Sequence, residues 1–188
     1  LFHSFDLVGK SAEILKIKKT IGKLAAAESR ILITGQTGTG KELVARKIHK
    51  NSSRADNSFV VFNSALLQEE KYEKQLFGEE YENGTVDYGV LEKANHGTLL
   101  LDEVSEIPFK IQSNILRILI DQKFKRINGT EEVNVNIRII SSTSKDLKKL
   151  IQEKKFREDL YHRMNVVPVH MPLLQSRTED IPLLIKYF

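Results

Sequence analysis

The sequence has no cysteine, no long apolar run and no recognisable leader, and each absence removes a class of protein. Without cysteine among its 188 residues, the chain can form neither a disulfide framework nor a thiolate metal site. No stretch approaches the roughly 18 consecutive apolar residues of a membrane span, and no N-terminal signal segment is visible. The five histidines are scattered and lack metal-ligand spacing. These absences predict a cytoplasmic protein with no membrane partner.

The charge balance is only mildly basic. Lysine and arginine number 29 against 25 acidic residues, for a net charge of +4. Such a balance suits a polyanionic ligand but is too weak and too scattered to predict a DNA-binding surface. The length and the 40% hydrophobic content predict one domain with a buried core. Because the chain begins at Leu1 and ends at Phe188 inside an apolar run, we expect it to be a piece of a longer protein.

Apolar runs alternate along the chain with segments of helical period, which predicts an α/β protein with a parallel sheet. The predicted strands are 30–34, 59–62, 98–101, 133–140 and 166–171. The predicted helices are 11–27, 41–50, 66–77, 108–121, 146–155 and a last one that Asp180 opens. The acidic stretch 79–87 contains Asn83-Gly84 and is predicted to be a loop.

The strongest motif lies between the first predicted strand and the second predicted helix, and it reads Gly35-Gln36-Thr37-Gly38-Thr39-Gly40-Lys41-Glu42. Glycines let the backbone curl so that several N–H groups point at one anion, and the helix N-terminus adds partial positive charge. Lys41 then supplies a cation for the β- and γ-phosphates of ATP. The spacing and context favour this phosphate-binding loop over a glycine-rich turn with an incidental lysine. Glu42 stands where serine or threonine usually contacts Mg²⁺.

Two acids follow the apolar run 99–101, and they predict the second half of the same site. Asp102 is expected to hold Mg²⁺ or its water, and Glu103 to polarise the attacking water. Both roles need rigid placement at a strand end beside the phosphate-binding loop.

A further charged cluster, 156–163, is on its charge pattern alone more typical of a solvated helical turn.

Five segments together resemble the AAA+ domain of bacterial enhancer-binding proteins, the sigma-54-dependent activators. The matching segments read GxTGTGKELVARxIH (35–49), LFG (76–78), GTLxLDE (97–103), RIIxxT (138–143) and FREDLYxRxNVVPV (156–169). The resemblance covers essentially the whole chain. It implies a P-loop NTPase AAA+ core over residues 1–188, with a doubly wound five-stranded parallel sheet flanked by helices. A receiver domain, the helical lid and a Fis-type helix-turn-helix would lie outside this sequence.

The resemblance also assigns roles to individual residues. Glutamate normally follows the P-loop lysine in this family, so Glu42 fits the pattern. Asn63 matches a switch residue that is expected to contact Glu103. Arg157 and Arg163 match arginines that are supplied to the nucleotide of the neighbouring subunit. Arg163 is the better candidate for this arginine finger. Catalysis would then require a ring, usually a hexamer or heptamer. The implied nucleotide-binding positions are Leu7, Val8, Gly9, Gly35, Gln36, Thr37, Gly38, Thr39, Gly40, Lys41, Glu42, Leu43, Thr143 and Ser144.

Two departures from the family pattern bear on function. The loop motif GAFTGA, which follows LFG in members that remodel the sigma-54 holoenzyme, is replaced by a shorter acidic stretch at 79–89. This replacement argues against sigma-54 RNA polymerase as a partner. With the other motifs intact, the sequence resembles the NtrX branch of two-component response regulators, which act in nitrogen and envelope signalling. In addition, Ser144 stands where the family usually has asparagine, although serine can still donate one hydrogen bond.

These features predict the ATP-binding, Mg²⁺-dependent and assembly-dependent ATPase domain of a response regulator. The whole protein would form homo-oligomers, from a dimer to a ring, and would meet a sensor histidine kinase and DNA through domains outside this sequence. Two alternatives stay open: a full sigma-54 activator that uses the altered loop, and a module that binds nucleotide for assembly without hydrolysing it.

Overall fold

The computed structural model describes residues 6–187, and its centre is a five-stranded sheet. The strands are β1 (Ile31–Thr34), β2 (Phe59–Asn63), β3 (Gly78–Glu80), β4 (Val86–Tyr88), β5 (Thr98–Asp102), β6 (Lys123–Lys125), β7 (Glu132–Asn134), β8 (Arg138–Thr143) and β9 (Val167–His170). The α-helices are α1 (Ala12–Ala26), α2 (Lys41–Lys50), α3 (Tyr72–Phe77), α4 (Val90–Lys93), α5 (Phe109–Asp121), α6 (Leu147–Gln152), α7 (Glu158–Met164) and α8 (Ile181–Tyr187).

The order of strands in the central sheet is β2-β5-β8-β1-β9, and all the pairings are parallel. Parallel neighbours place the carboxyl ends of their strands at one edge of the sheet. Thr34 is in register with Thr143, and Asn63 with Asp102. The order reverses around β1, whose carboxyl end runs into the loop before α2, and ligands of open α/β sheets bind at such a point. The predicted doubly wound α/β architecture is confirmed.

Helices cover both faces of this sheet, and the strand residues alternate between two buried clusters. Ile31 and Ile33 pack against α1 and α2 on one face. Leu32 packs on the other face against residues of α3, α5 and α7. Because β5 is buried on both faces, its sequence is a continuous apolar run instead of an alternating one. Every helix within residues 6–187 is too short or too polar to span a bilayer.

The structure departs from three of the predicted elements. The segment predicted as one strand at 133–140 is divided into β7 and β8, because the backbone between them bonds to other parts of the chain. The amide of Val135 donates to Gln122 O, and that of Asn136 donates to the Asn95 side chain. The predicted helix 66–77 is interrupted, because Leu67 and Gln68 are extended between a 3₁₀ turn that ends at Leu66 and a second one that starts at Glu69 and leads into α3.

The stretch predicted as a loop at 79–87 instead lies in an antiparallel hairpin, β3–β4, which is fastened to the hairpin β6–β7. The amide of Glu80 donates to Ile127 O, and the amide of Ile127 donates to Gly78 O, each at 3.0 Å. Arg126 adds ion pairs to Glu80 at 2.5 Å and to Glu92 at 2.6 Å. The segment that stands in the GAFTGA position is therefore anchored by charge-assisted bonds at one end.

Candidate nucleotide-binding site

The glycine-rich loop that follows β1 is shaped by positive φ angles and by close backbone contacts. Gly35 has φ 155° and Gly40 has φ 97°, and side chains strain such conformations. A Cβ atom on Gly35 would lie 2.8 Å from Met171 Cβ, so this position also has no room for a side chain. The amide of Gly35 donates to Thr143 O at 3.2 Å, which ties the loop to the end of β8.

The N-terminus of α2 carries the features of an anion site. Gly40 is its N-cap and supplies no side-chain bond, so the side-chain acceptor that commonly satisfies the first helical amides is missing. The first regular helical hydrogen bond runs from Val44 N to Gly40 O. The amides of Lys41, Glu42 and Leu43 precede it and have no acceptor within the regular helix. Backbone amides and the helix dipole together favour a phosphate at this position.

Lys41 is 6% exposed, and its ammonium joins the loop to the carboxylate that follows β5. Its Nζ atom donates to Gly35 O at 2.9 Å and to Gln36 O at 3.3 Å. The same atom lies 3.1 Å from Glu103 Oε1. The P-loop lysine and the acid after the third predicted strand are therefore in direct contact, although 62 positions separate them in the sequence.

The Asp102 carboxylate is oriented by two hydrogen bonds from neighbouring strands. The Ser142 hydroxyl donates to Oδ1, and the Asn63 amide donates to Oδ2 at 3.0 Å. No group of three or more His, Cys, Asp or Glu that could hold a metal occurs within residues 6–187. One carboxylate beside a phosphate site still fits Mg²⁺, which is usually bound by one or two carboxylates together with substrate phosphates. Glu42 is exposed, and Arg46 pairs with it at 2.6 Å.

Glu103 occupies a left-handed backbone conformation, with φ 53° and ψ 56°, and its carboxylate is fully engaged. Its Oε2 accepts from Ser144 N at 2.9 Å and from Ser144 Oγ at 2.8 Å, while Oε1 faces Lys41. Burial by itself raises the pKa of the Glu103 carboxyl, but the Ser144 hydrogen bonds and Lys41 outweigh burial and lower it below the ordinary value. Glu103 is therefore an anion near neutral pH.

The predicted contact between Asn63 and Glu103 is wrong in this structure. Asn63 is the register partner of Asp102, so its amide meets that carboxylate instead. The chain turns at Glu103 into the left-handed region, and this turn carries the Glu103 side chain to Ser144 on the other side of β5. Thr143 ends β8 with its hydroxyl bonded to Lys145 N and O, which fixes the backbone that presents Ser144.

The two predicted arginines do not join this group of residues. Arg157 forms a bidentate ion pair with Asp159, at 3.0 and 2.8 Å. Arg163 is exposed on α7, four positions before Val167, which is the first residue of β9 and whose amide donates to Arg30 O at 3.1 Å. Arg30 precedes β1, whereas the P-loop follows it, and a four-residue strand spans about 13 Å. Arg163 therefore lies toward the sheet end opposite to its own P-loop.

The segment that resembles the adenine border is held by a carboxylate from the far end of the chain. Leu7 is buried, Val8 and Gly9 are half-buried, and the following residues bind Asp180. Asp180 accepts from Lys10 N at 2.6 Å, from Ser11 N at 2.9 Å and from Ser11 Oγ at 2.6 Å. A Cβ atom on Gly9 would lie 2.7 Å from Asp180 Oδ2. Asp180 thus fixes the path of residues 7–11.

Asp180→Asn is expected to lower the free energy of unfolding by roughly 2–3 kcal/mol at pH 7, the range for a charge-assisted bond lost in a buried site. Burial by itself raises the pKa of the Asp180 carboxyl. The hydrogen bonds from Ser11 and Lys10 and the charge of Arg177 outweigh burial, so the pKa lies below the ordinary value. Asp180 therefore contributes stability above about pH 4, which is lost as the pH falls through the folded-state pKa. Urea unfolding of both proteins from pH 7 to pH 3 measures this difference, and a difference that does not shrink toward pH 3 contradicts the assignment.

Sequence reasoning missed Ser142 and Asp180. Ser142 lies two residues before Ser144 on β8, and the adjacency of β8 to β5 was needed to place it on Asp102. Asp180 could be identified only from the folded chain, because its partners lie about 170 positions earlier. Neither residue carries a local pattern that distinguishes it from an ordinary surface group.

Comparison with known proteins agrees with this arrangement. The family model described as Sigma-54 interaction domain matches residues 7–170. The chain is 47% identical to the nitrogen assimilation regulatory protein NtrX of Azorhizobium caulinodans, over 100% of this chain and 42% of that protein. It is 41% identical to the transcriptional regulator NtrC of Escherichia coli K12, over 97% of this chain and 40% of that protein.

A solved structure is similar over nearly the same residues. The crystal structure of Brucella abortus NtrX in complex with ADP has a TM-score of 0.94 and 49% identity, covering 98% of this chain and 41% of that one. The sequence thus spans about two fifths of the length of the relatives that it matches. The chain belongs to the Sigma-54 interaction domain family, with the AAA+ P-loop NTPase fold and with NtrX and NtrC among its homologues.

Proposed function

We propose that this domain binds Mg-ATP and, when assembled, hydrolyses it to ADP and phosphate as the central module of an NtrX-like cytoplasmic response regulator. The observation that carries the proposal is the meeting of Lys41, Asp102 and Glu103 at the carboxyl edge of the sheet, beside the uncapped N-terminus of α2. A phosphate-binding lysine, one candidate metal carboxylate and a second carboxylate beside them are the groups that phosphoryl transfer to water requires.

The bound nucleotide would lie with its phosphates over the amides of Gly38, Gly40 and Lys41, and with its base near residues 7–9. Lys41 would exchange the carbonyls of Gly35 and Gln36 for the β- and γ-phosphates. Asp102, oriented by Ser142 and Asn63, would hold Mg²⁺, which neutralises charge on the phosphates when bound. Thr143 ends the strand that faces the γ-phosphate position and Ser144 follows it, so the Ser144 hydroxyl, which donates to Glu103 in this structure, would lie beside that phosphate.

Glu103 would act as the group that orients and deprotonates the attacking water. Its lowered pKa keeps it ionised, so it can accept a proton at neutral pH. It must first leave Lys41 and Ser144, because each of its oxygens is held by one of them. We assign Asn63 to orienting the Asp102 carboxylate, which places its influence on the metal and not directly on Glu103.

The site would be completed by a neighbouring subunit. Arg163 is exposed and lies toward the sheet end opposite to its own P-loop, so it is suited to act on the nucleotide of another copy. Arg157 is already paired with Asp159, which makes it the weaker candidate for the finger. Head-to-tail contacts of this kind generate rings when the rotation closes, and a hexamer or heptamer fits the proposal.

Lys41→Ala is expected to weaken Mg-ATP binding by about a hundredfold or more. The loss removes charge-assisted bonds of roughly 1.5–3 kcal/mol each to two phosphates, and every 1.4 kcal/mol is tenfold in affinity. Fluorescent-nucleotide titration or calorimetry measures the change. Lys50→Ala is the matched control, because Lys50 is an exposed lysine at the last position of the same helix. Unchanged affinity in Lys41→Ala would remove the P-loop from the proposal.

A full sigma-54 activator is the second candidate, favoured by the family model. Against it stands the hairpin β3–β4, whose acidic residues replace the motif and whose base is tied to Arg126. We expect a pull-down of sigma-54 with a transition-state nucleotide analogue to recover background amounts only. Capture that is lost when residues 81–85 are replaced by glycine and serine would instead favour an activator that uses this hairpin.

The remaining role is regulatory and depends on domains outside this sequence. We propose a receiver domain addressed by a sensor histidine kinase, a helical lid and a Fis-type DNA-binding domain, since the relatives are more than twice the length of this chain. ATP would then set the assembly state of the whole regulator. A module that binds nucleotide without hydrolysis is the alternative, and the engagement of Glu103 by Lys41 and Ser144 is the observation in its favour.

A further inference from the structure

The Glu103 carboxylate and an ATP phosphate require the same partner, the ammonium of Lys41. Lys41 Nζ lies 3.1 Å from Glu103 Oε1, and the pair is largely buried, with side-chain exposures of 6% and 15%. In such surroundings a carboxylate is a strong competitor for a cation, because low dielectric strengthens the attraction. A group that holds Glu103 in place therefore affects how readily the Lys41 ammonium exchanges the carboxylate for a phosphate.

Ser144 is the residue in a position to do this. Its backbone amide and its hydroxyl both donate to Glu103 Oε2, at 2.9 and 2.8 Å, which directs Oε1 toward Lys41. The backbone at this point is rigid, since β8 is buried along its whole length and the Thr143 hydroxyl is bonded to Lys145 on both N and O.

Asn63 cannot hold Glu103 in the same arrangement. Its Nδ2 donates to Asp102 at 3.0 Å, and its Oδ1 accepts from Ala65 N at 2.9 Å, so both ends of its amide are in use. Among the described side chains, Ser144 and Lys41 are the groups that hydrogen-bond or pair with the Glu103 carboxylate. The restraint on Glu103 thus comes from the end of β8.

We propose that Ser144 is a positioning residue that holds Glu103 against Lys41, so that Glu103 competes with phosphate for the lysine. Nucleotide binding then requires breaking the Lys41–Glu103 pair, and that step releases the carboxylate for its work on water. The inference rests on the proposed function in one respect, the binding of nucleotide phosphate by Lys41.

The test is a double-mutant cycle on Mg-ADP affinity in the full-length protein. ADP is chosen because it has no γ-phosphate that the Ser144 hydroxyl could contact directly. Ser144→Ala removes one charge-assisted hydrogen bond to Glu103 and should tighten Mg-ADP binding by about threefold to tenfold. In the Glu103→Gln background, where the competing charge is gone, the same substitution should leave the affinity unchanged. Ser144→Thr, which keeps the hydroxyl, should bind Mg-ADP as the native protein does.

Equal effects of Ser144→Ala in both backgrounds, or weaker binding in the native one, would overturn the inference. Failure of the proposed function is distinguishable, because it would show as unchanged affinity in Lys41→Ala. The cycle measures binding alone, so it gives a result whether or not the domain hydrolyses ATP.

Discussion

Arg163→Ala is expected to lower the ATPase turnover of the assembled protein by about a thousandfold, the lower end of the range for an arginine finger, while ATP affinity stays within about twofold of native. The two quantities separate because a finger stabilises charge that develops in the transition state. Arg163 is exposed on α7 and lies toward the sheet end opposite to its own P-loop. Its loss should therefore remove a contribution to catalysis and leave the binding surface of each subunit intact.

Steady-state phosphate release and fluorescent-nucleotide titration on the same preparations measure the two quantities. Arg117→Ala is the matched control, because Arg117 is another exposed helical arginine that the proposal leaves outside the site. Arg157→Ala should cost less than Arg163→Ala, since the Arg157 guanidinium is already occupied by Asp159. A larger loss of ATPase turnover in Arg157→Ala than in Arg163→Ala would make Arg157 the finger instead of Arg163.

Glu103→Gln is expected to reduce turnover by about 10² to 10⁴, the usual contribution of a positioned general base. ATP binding should persist and become somewhat tighter, because the substitution removes the anion that competes for Lys41. Glutamine keeps the shape of the side chain and can still contact Ser144, so the fold should be unaffected.

Single-turnover hydrolysis by this variant, compared with native protein, measures the chemical step directly. Glu106→Gln serves as its control, because Glu106 is a half-exposed carboxylate nearby that pairs with Lys145. A Glu103→Gln variant with native turnover would remove Glu103 from the mechanism. If native protein itself shows no turnover above this variant at any concentration, the domain is a nucleotide-binding module.

The sequence predicted the sheet and the strand–loop–helix arrangement of the glycine-rich segment because the signals for both are local. A glycine-rich turn between an apolar run and a helical segment indicates a strand, a loop and an anion-binding helix N-terminus in a single stretch of chain. The apolar run 99–101 followed by two acids likewise placed Asp102 and Glu103 at a strand end. Parallel pairing places both acids at the carboxyl edge of the sheet, where Glu103 contacts Lys41 and Asp102 contacts Asn63 and Ser142.

What the sequence did not predict depends on long-range packing. The partner of Asn63 is decided by register with β5 and by the left-handed turn at Glu103, and neither is readable from residues 63 or 103. The hairpins β3–β4 and β6–β7 contain strands of three residues, too short for an alternation pattern. The two hairpins are joined by backbone bonds of Ile127 to Gly78 and Glu80 and by the contacts of Arg126 with Glu80 and Glu92, which span 46 and 34 positions.

In the proposed assembly, one subunit supplies the arginine and the next supplies the P-loop and the acids. The most direct test mixes Arg163→Ala and Glu103→Gln proteins, each nearly inactive by itself, at equal concentrations that permit assembly. If the site is shared, random mixing places an intact P-loop and Glu103 beside an intact Arg163 at about one interface in four. Mixing is therefore expected to restore up to about a quarter of the native rate. A mixture that stays at the sum of the two separate rates, in a sample shown to contain mixed assemblies, would contradict completion of the site between subunits.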